Sequence, residues 1–301
     1  MNLGSSKNRA VGAFVGLAVG DALGAPVEFK RRGSFALVSE MLSGGYFRLP
    51  AGAWTDDTAM ALCLADALMY DEKIDSSDLL NRFWRWASEG ENTSTGVCVG
   101  IGQNTLRVLG EFKRHNYLFA QPTKQKSDGN GAVMRLAPVS IRHWRNPALA
   151  KKLAEKQSQI THYSSKSSSS CEMLSLMLVC LISGKDWQTA KEFVSKELVS
   201  TEVNYLTGED WHNRSEHTIK STGFVLHTME AAFWAVENSS SFEECLIKAV
   251  NLGDDADSVG AVAGQLAGAL YGVSSIPSRW LEKIHKLDEI ENRAVYLFDA
   301  A

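Results

Sequence analysis

AVGAFVGLAVGDALG, residues 10–24, sets glycine at every fourth position: Gly12, Gly16, Gly20 and Gly24. Positions i and i+4 share one face of a helix, so this stretch predicts a helix with a groove bare of side chains. Glycine costs about 1 kcal/mol per site in a helix interior. Such a groove is tolerable only where another backbone packs into it. The far end of the chain repeats the spacing at Gly260, Gly264, Gly268 and Gly272. The two glycine-lined helices are therefore expected to cross in the core and bring their ends together. Both ends carry acids.

The same N-terminal stretch imitates a secretory leader, because Lys7 and Arg9 precede an apolar run from Ala10 to Gly20. The run falls short of the about 20 apolar residues that a membrane span needs, and Asp21 stands where a cleavage region would lie. It reads as a packed helix of the mature protein, and no membrane partner is expected. Residues 1–9 are expected to be a flexible N-terminus.

Working outward, most segments carry helical periodicity. Residues 57–70 and 76–87 each gather apolar side chains on one face, the second opening with serines suited to capping. Similar patterns occur near 147–160, 171–183, 186–198, 224–237, 242–251 and 256–271. No alternation of period two is long enough for a confident strand, and the 6 prolines among 301 residues leave long uninterrupted segments. The expected class is all-α, a compact, roughly orthogonal helix bundle. No linker divides the chain, so residues 1–301 read as a single domain. Segments 28–54, 114–130 and 199–221 read as loops, and the run Ser164–Ser170 as a solvated connection.

Charge and cysteine content narrow the function classes. With 31 Lys+Arg against 35 Asp+Glu the net charge is −4, which argues against nucleic acid or an anionic membrane as main partner. The five cysteines, Cys63, Cys98, Cys171, Cys180 and Cys245, are scattered and lack a CxxC pair. They fit neither a disulfide framework nor a zinc site, and read as reduced thiols of a cytoplasmic protein.

Two acidic groups carry the chemistry. Trp54-Thr55-Asp56-Asp57-Thr58 opens one helix, and Gly253-Asp254-Asp255-Ala256-Asp257-Ser258 precedes the second glycine-lined helix. Acids at a helix N-terminus have an ordinary explanation in capping and the helix dipole. Two such groups packed together would repel unless a cation sat among them. Their ligands are oxygens, with no His or Cys adjacent in sequence, which selects a hard cation such as Mg²⁺ or Mn²⁺. Several carboxylates in one cleft suit a pair of such ions.

At these residues the chain resembles the ADP-ribosylglycohydrolase superfamily. The resemblance runs from Gly12 to about Gly272. It rests on four ordered blocks: GLAVGDALGAPVEF (16–29), WTDDT (54–58), SDGNGAVMRLAPVS (127–140) with Thr161-His162 following, and NLGDDADSVGAVAGQLAGALYG (251–272). It implies an all-α bundle with a dimetal cleft, in which Thr55, Asp56 and Asp57 match the first ligand set and Asp255, Asp257 and Ser258 the second. The family usually has Thr in place of Ser258. Asp254 stands where many members have glycine, and no ligand role is carried onto it.

By the same resemblance Glu28 and Asp57 are the candidate catalytic residues, Glu28 as general acid or base. Gly129-Asn130-Gly131 matches a loop that cradles ADP-ribose, its glycines allowing backbone N–H groups to approach phosphates and a helix opening at Ala132 adding its dipole. His162 matches a histidine lining the substrate cleft. Gly100-Ile101-Gly102 departs from relatives that carry Asp at the first position, which bears on the linkage cleaved. Tyr205, Trp211 and Phe224 are candidates to stack on adenine.

The implied function is a hydrolase that removes ADP-ribose from an ADP-ribosylated protein or small molecule by cleaving at C1 of the distal ribose, with two divalent cations, Mg²⁺ or Mn²⁺, as cofactors and ADP-ribose as product. Arginine is the first choice of acceptor; serine, a nucleobase or an ester are the others. The rivals are a non-catalytic relative that binds ADP-ribose or inhibits a transferase, and a phosphohydrolase that would release AMP.

Overall fold

The computed structural model describes residues 5–123, 127–198 and 200–301. Fourteen α-helices make up the described residues, joined by turns and short 3₁₀ segments, with isolated bridges and no strand among them. The all-α expectation holds. In chain order the helices are α1 (Ser5–Gly24), α2 (Asp56–Tyr70), α3 (Ser76–Glu89), α4 (Gln103–His115), α5 (Ala137–Arg142), α6 (Pro147–Thr161) and α7 (Ser165–Ile182). There follow α8 (Trp187–Glu197), α9 (Thr201–Gly208), α10 (Val225–Glu237), α11 (Phe242–Val250), α12 (Ala256–Tyr271), α13 (Ser278–Leu281) and α14 (Leu287–Asp299).

α1 and α12 form the spine. Residues 10–24 of α1 and 256–269 of α12 are all buried. α1 is long and apolar enough to cross a membrane by composition, yet its apolar window lies wholly inside the protein. As the glycine spacing predicts, the two helices pack on each other through their glycine faces in the core and bring their acid-bearing ends together. They run antiparallel in register, with Gly12 facing Gly268, Gly16 facing Gly264, Gly20 facing Gly260 and Gly24 facing Ala256. A Cβ on any of these glycines would overlap a carbonyl oxygen of the partner helix. The groove is filled by backbone, and this seals an apolar core that extends through almost every other helix.

Local chemistry decides the remaining boundaries. Residues 5–9 belong to α1, where Lys7 pairs with Asp299 at 2.7 Å and the Arg9 guanidinium donates to the Leu181 carbonyl at 2.8 Å, so they are no loose terminus; residues 1–4 lie outside the described residues. α3 is capped by Asp75, whose carboxylate accepts from the Asp78 N–H at 2.7 Å, rather than by the serines after it. The serine run is no solvated connection. Ser164 caps α7 by accepting from the Ser167 N–H, and Ser167, Ser168 and Ser170 are buried along its first turns. Segment 199–221 contains α9 and two 3₁₀ turns, while segment 28–54 stays irregular apart from the Gly44–Leu49 bridge.

Candidate active site

The antiparallel register brings the C-terminal end of α1 beside the N-terminus of α12, and Trp54 anchors the start of α2 next to both. Its buried indole N–H donates to the His285 carbonyl at 3.0 Å. Three chain segments thereby deliver acids to one place: Asp21 and Glu28 from the end of α1, Asp56 and Asp57 from α2, and Asp255 and Asp257 from α12. The positive dipole ends of α2 and α12 both face this cluster, which offsets part of its repulsion.

The acids form two layers. In the lower one Asp21, Asp57 and Asp257 are buried, with carboxylate oxygens within 4.8 Å of one another. In the upper one Glu28, Asp255 and Asp257 meet the same distance and line an open cleft. Either group of oxygens could hold a metal ion.

Asp21, which no motif of the sequence marks as functional, binds the start of α2. Its carboxylate accepts from the Thr55 N–H at 2.8 Å, the Thr55 hydroxyl at 2.9 Å, the Thr58 N–H at 3.0 Å and the Thr58 hydroxyl at 2.6 Å. Both of its oxygens thereby fix the first turn of α2. The signal that could have found it is an acid inside an otherwise apolar helix, which needs partners to be buried there.

The donor set passes a test for a cation. Thr55 Oγ1 has one proton but lies within 2.9 Å of Asp21 and 3.3 Å of both Asp57 and Asp257. Asp57 Oδ1 and Glu28 Oε2 are buried with no hydrogen-bond partner. Among the described residues no lysine or arginine pairs with any of the six acids; burial raises the pKa of each, and repulsion from other members of the group adds to it at Glu28, Asp56, Asp57 and Asp257. Glu28 is pushed up to about 11, by burial first and then by Asp257, Asp255 and Asp56. Asp255 rises to about 6, burial outweighing its bonds from Asn130 and Ser258. Orphaned oxygens and uncompensated repulsion are what a divalent ion would relieve.

One cavity of about 720 Å³ collects most of the residues singled out from the sequence. Glu28, Asp56, Gly129, Asn130, Gly131, His162, Asp255, Asp257 and Ser258 line it, together with Gly100. Thr55 and Asp57 do not line it. Asp57 is fully buried beneath its floor and so has no direct path to a substrate in the cleft. Asp254 turns away from the site. It is exposed, its backbone φ is +54°, and it is absent from both acid groups.

The Gly129–Gly131 loop is held by its own backbone. Asn130 N–H donates to the Gly223 carbonyl at 3.1 Å, Val225 N–H donates to the Asp128 carbonyl at 2.9 Å, and the Asn130 amide donates to Thr228 and to Asp255. No helix opens at Ala132. Residues 131–135 are turns and α5 starts only at Ala137, so the dipole expected there is absent. His162 packs against this loop; a Cβ on Gly131 would meet its ring at 3.1 Å. The buried guanidinium of Arg135 donates to Thr161 Oγ1 at 2.8 Å, and that hydroxyl stands 2.9 Å from His162 Nδ1. With the hydroxyl donating onward, Nδ1 accepts and the ring proton sits on Nε2. Burial and the positive charge of Arg135 hold His162 neutral, its pKa lowered to about 3.

Of the three aromatic candidates none lines the cleft among the described residues. Trp211 is core, its indole N–H donating to the Leu206 carbonyl. Tyr205 donates to Glu230, and the Phe224 ring meets His227 edge-on while its backbone bridges to Gly129.

Comparison with known proteins agrees with this geometry. The family model for ADP-ribosylglycohydrolase matches residues 3–301. A protein of Serratia proteamaculans named ADP-ribosylarginine hydrolase Tri1 is 40% identical over 297 residues, covering 97% of this chain and 80% of that one. The ADP-ribosyl-[dinitrogen reductase] glycohydrolase of Rhodospirillum rubrum is 35% identical over 295 residues, 96% and 94% of the two chains. A solved structure described as an ADP-ribosylglycohydrolase-related protein complex superimposes with a TM-score of 0.86 at 36% identity, covering 99% of each chain. Matched over nearly its whole length, this chain belongs to the ADP-ribosylglycohydrolase family.

Proposed function

We propose that the protein hydrolyses ADP-ribosylarginine, releasing ADP-ribose by cleavage at C1 of the distal ribose. The observation that carries this reading is the convergence of two acid layers, the Gly129–Gly131 loop and neutral His162 on one cleft. The names of relatives at 35–40% identity support the arginine linkage. Action on an ADP-ribosylated protein or small molecule, a cytoplasmic setting, and one domain across residues 1–301 are part of the same proposal.

Thr55, Asp56, Asp57, Asp255, Asp257 and Ser258 would hold two divalent cations, Mg²⁺ or Mn²⁺. When bound, these supply Lewis acidity that steadies ribose hydroxyls and lowers the pKa of water. The chain's own residues do the rest. Asp21 positions Thr55 and the start of α2. His162, donating from Nε2, fits a phosphate or ribose oxygen held over the glycine loop, so binding energy remote from the bond positions the reacting carbon. Hydrolysis forms a bond from water oxygen to C1, breaks the bond from C1 to the guanidino nitrogen, and transfers one proton to the departing guanidine. Glu28, in the cleft with an unpartnered Oε2, is the residue suited to carry that proton. Asp57 contributes beneath the floor, as a ligand.

The test is incubation with a peptide carrying ADP-ribosylarginine, with products separated by chromatography. Free ADP-ribose, lost on chelation and restored by Mg²⁺ or Mn²⁺, is expected. Release of AMP would indicate a phosphohydrolase, and tight binding without turnover a non-catalytic ADP-ribose binder.

A further inference from the structure

Lys191 and Arg135 are both buried, yet their charges are handled in opposite ways. Lys191 pairs with Glu237 at 2.5 Å. The Arg135 guanidinium donates to the Gln157 side-chain oxygen at 2.9 Å, the Gln157 backbone carbonyl at 3.0 Å and Thr161 Oγ1 at 2.8 Å, and lies over the Phe83 ring at 4.7 Å. All of these partners are neutral, and among the described residues no carboxylate forms an ion pair with it. Asp56 attracts it only from beyond that distance, and burial lowers its pKa to about 10, so the group stays charged at neutral pH. A lone charge in a protein interior is costly unless something balances it.

The hydrogen bonds around Arg135 run one way. The Gln157 amide donates to the Ala132 carbonyl at 3.0 Å, which turns its oxygen towards Arg135. Thr161 Oγ1 accepts from Arg135, so its own proton is left for His162 Nδ1, 2.9 Å away. Nε2 then carries the ring proton, and that edge of the ring faces the cleft loop: a Cβ on Gly129 would stand 3.4 Å from Nε2. Guanidinium, hydroxyl and imidazole form a chain of donors that starts at a buried charge and ends in the cleft. Donors aligned in this way polarise one another. Arg107, which also acts on His162, is already paired with Glu111 at 2.8 Å and stands outside the chain.

We infer that Arg135 and Thr161 are positioning residues of a diphosphate subsite: through His162 they present a fixed Nε2–H, backed by an unpaired positive charge, to an anion on the Gly129–Gly131 loop. This deepens the function proposed above and rests on it for the identity of the ligand. A diphosphate on the loop gives Nε2–H its acceptor and Arg135 its counter-charge. A neutral ligand would give only the first.

The experiment uses the full chain with Mg²⁺ and isotopically labelled histidine ring nitrogens, and compares wild type with Thr161→Val and Thr161→Ser. Nitrogen NMR shifts, with the His162 signals identified by their loss in His162→Gln, report which ring nitrogen holds the proton. Calorimetry gives the Kd of ADP-ribose. Wild type is expected to hold the proton on Nε2, and ADP-ribose to shift the Nε2 signal. Thr161→Val keeps the shape but deletes the hydroxyl; it is expected to mix the two tautomers and weaken ADP-ribose binding about 10–100-fold. Thr161→Ser is expected to restore both. A wild-type proton on Nδ1, an Nε2 signal unmoved by ADP-ribose, or wild-type affinity in Thr161→Val overturns the inference. The first two outcomes are read on wild type and decide the matter even where Thr161→Val does not fold. ADP-ribose bound with the expected shifts, but none released from an ADP-ribosylarginine peptide, sinks the hydrolase reading and leaves this inference standing.

Discussion

α1 and α12 build two regions under opposite rules, a glycine seam along their length and an acidic cleft at their end. The seam works by removing atoms. Backbone meets backbone, and each added methyl would strike a carbonyl. The cleft works by concentrating charge that its surroundings do not neutralise. The two regions divide the labour: steric exclusion sets the register of the helices, and that register sets which acids face each other. Shifting the pairing by one turn would still match glycine to glycine but would separate Asp21 on α1 from Asp257 on α12.

The sharpest break of this comparison is Asp57→Asn, which leaves the seam untouched. Turnover on an ADP-ribosylarginine peptide should fall about 10²–10³-fold or more, with the helical circular-dichroism signal unchanged. Retained activity would show that the lower layer does not serve the chemistry. Next comes Asp21→Asn, which replaces by a donor amide one of two oxygens that each accept two hydrogen bonds. Metal affinity should weaken about 10–100-fold by calorimetry, and wild-type affinity would mean that Thr55 needs no such support.

Gly264→Ala probes the other side, because its methyl would collide with the Gly16 carbonyl. Denaturant unfolding should show a loss of about 1–3 kcal/mol, with near-normal turnover in molecules that remain folded. Lost turnover at full stability would join the two regions into one.

The cleft alone should respond to pH when metal is stripped. Its carboxylates have folded pKa values above their unfolded values, about 6 for Asp255 and about 11 for Glu28. The folded state then binds more protons than the unfolded state, so this contribution is fully present below about pH 4 and is lost as pH rises through the folded values. The chelated protein should melt at lower temperature at pH 8 than at pH 5, and Mg²⁺ should narrow the gap. A rise in melting temperature over that interval would refute the assignment. The smallest effect belongs to Asp254→Gly. It relieves a left-handed φ without touching the acid layers, and should gain at most about 1 kcal/mol with turnover unchanged.

The seam was legible because spacing at i, i+4 is a direct geometric statement, although it could not tell a crossing from antiparallel register. The acids were legible as ordered blocks. Asp21 was missed because its role exists only once Thr55 and Thr58 fold back onto it from another segment. Ser164–Ser170 misled because polarity was taken for exposure, whereas serine hydroxyls cap α7 and bond Ser167 to Ser158 inside the protein. α9 was hidden by weak local propensity, and buried Trp211 beside it marks the tertiary packing that stabilises it. Trp211, Tyr205 and Phe224 were drawn to adenine by composition alone; their partners lie elsewhere.

The seam also has a consequence for how the chain is born. Gly16 and Gly264 are about 250 positions apart, and synthesis runs at about 5–20 residues per second. The first helix therefore leaves the ribosome some 10–50 seconds before its backbone partner exists. During that interval a largely apolar, glycine-grooved segment, interrupted by Asp21, lacks the backbone partner that fills its groove. Its closing contact joins residues about 250 positions apart, so the spine cannot close until α12 has been synthesised, and its formation bears the cost of a very long loop.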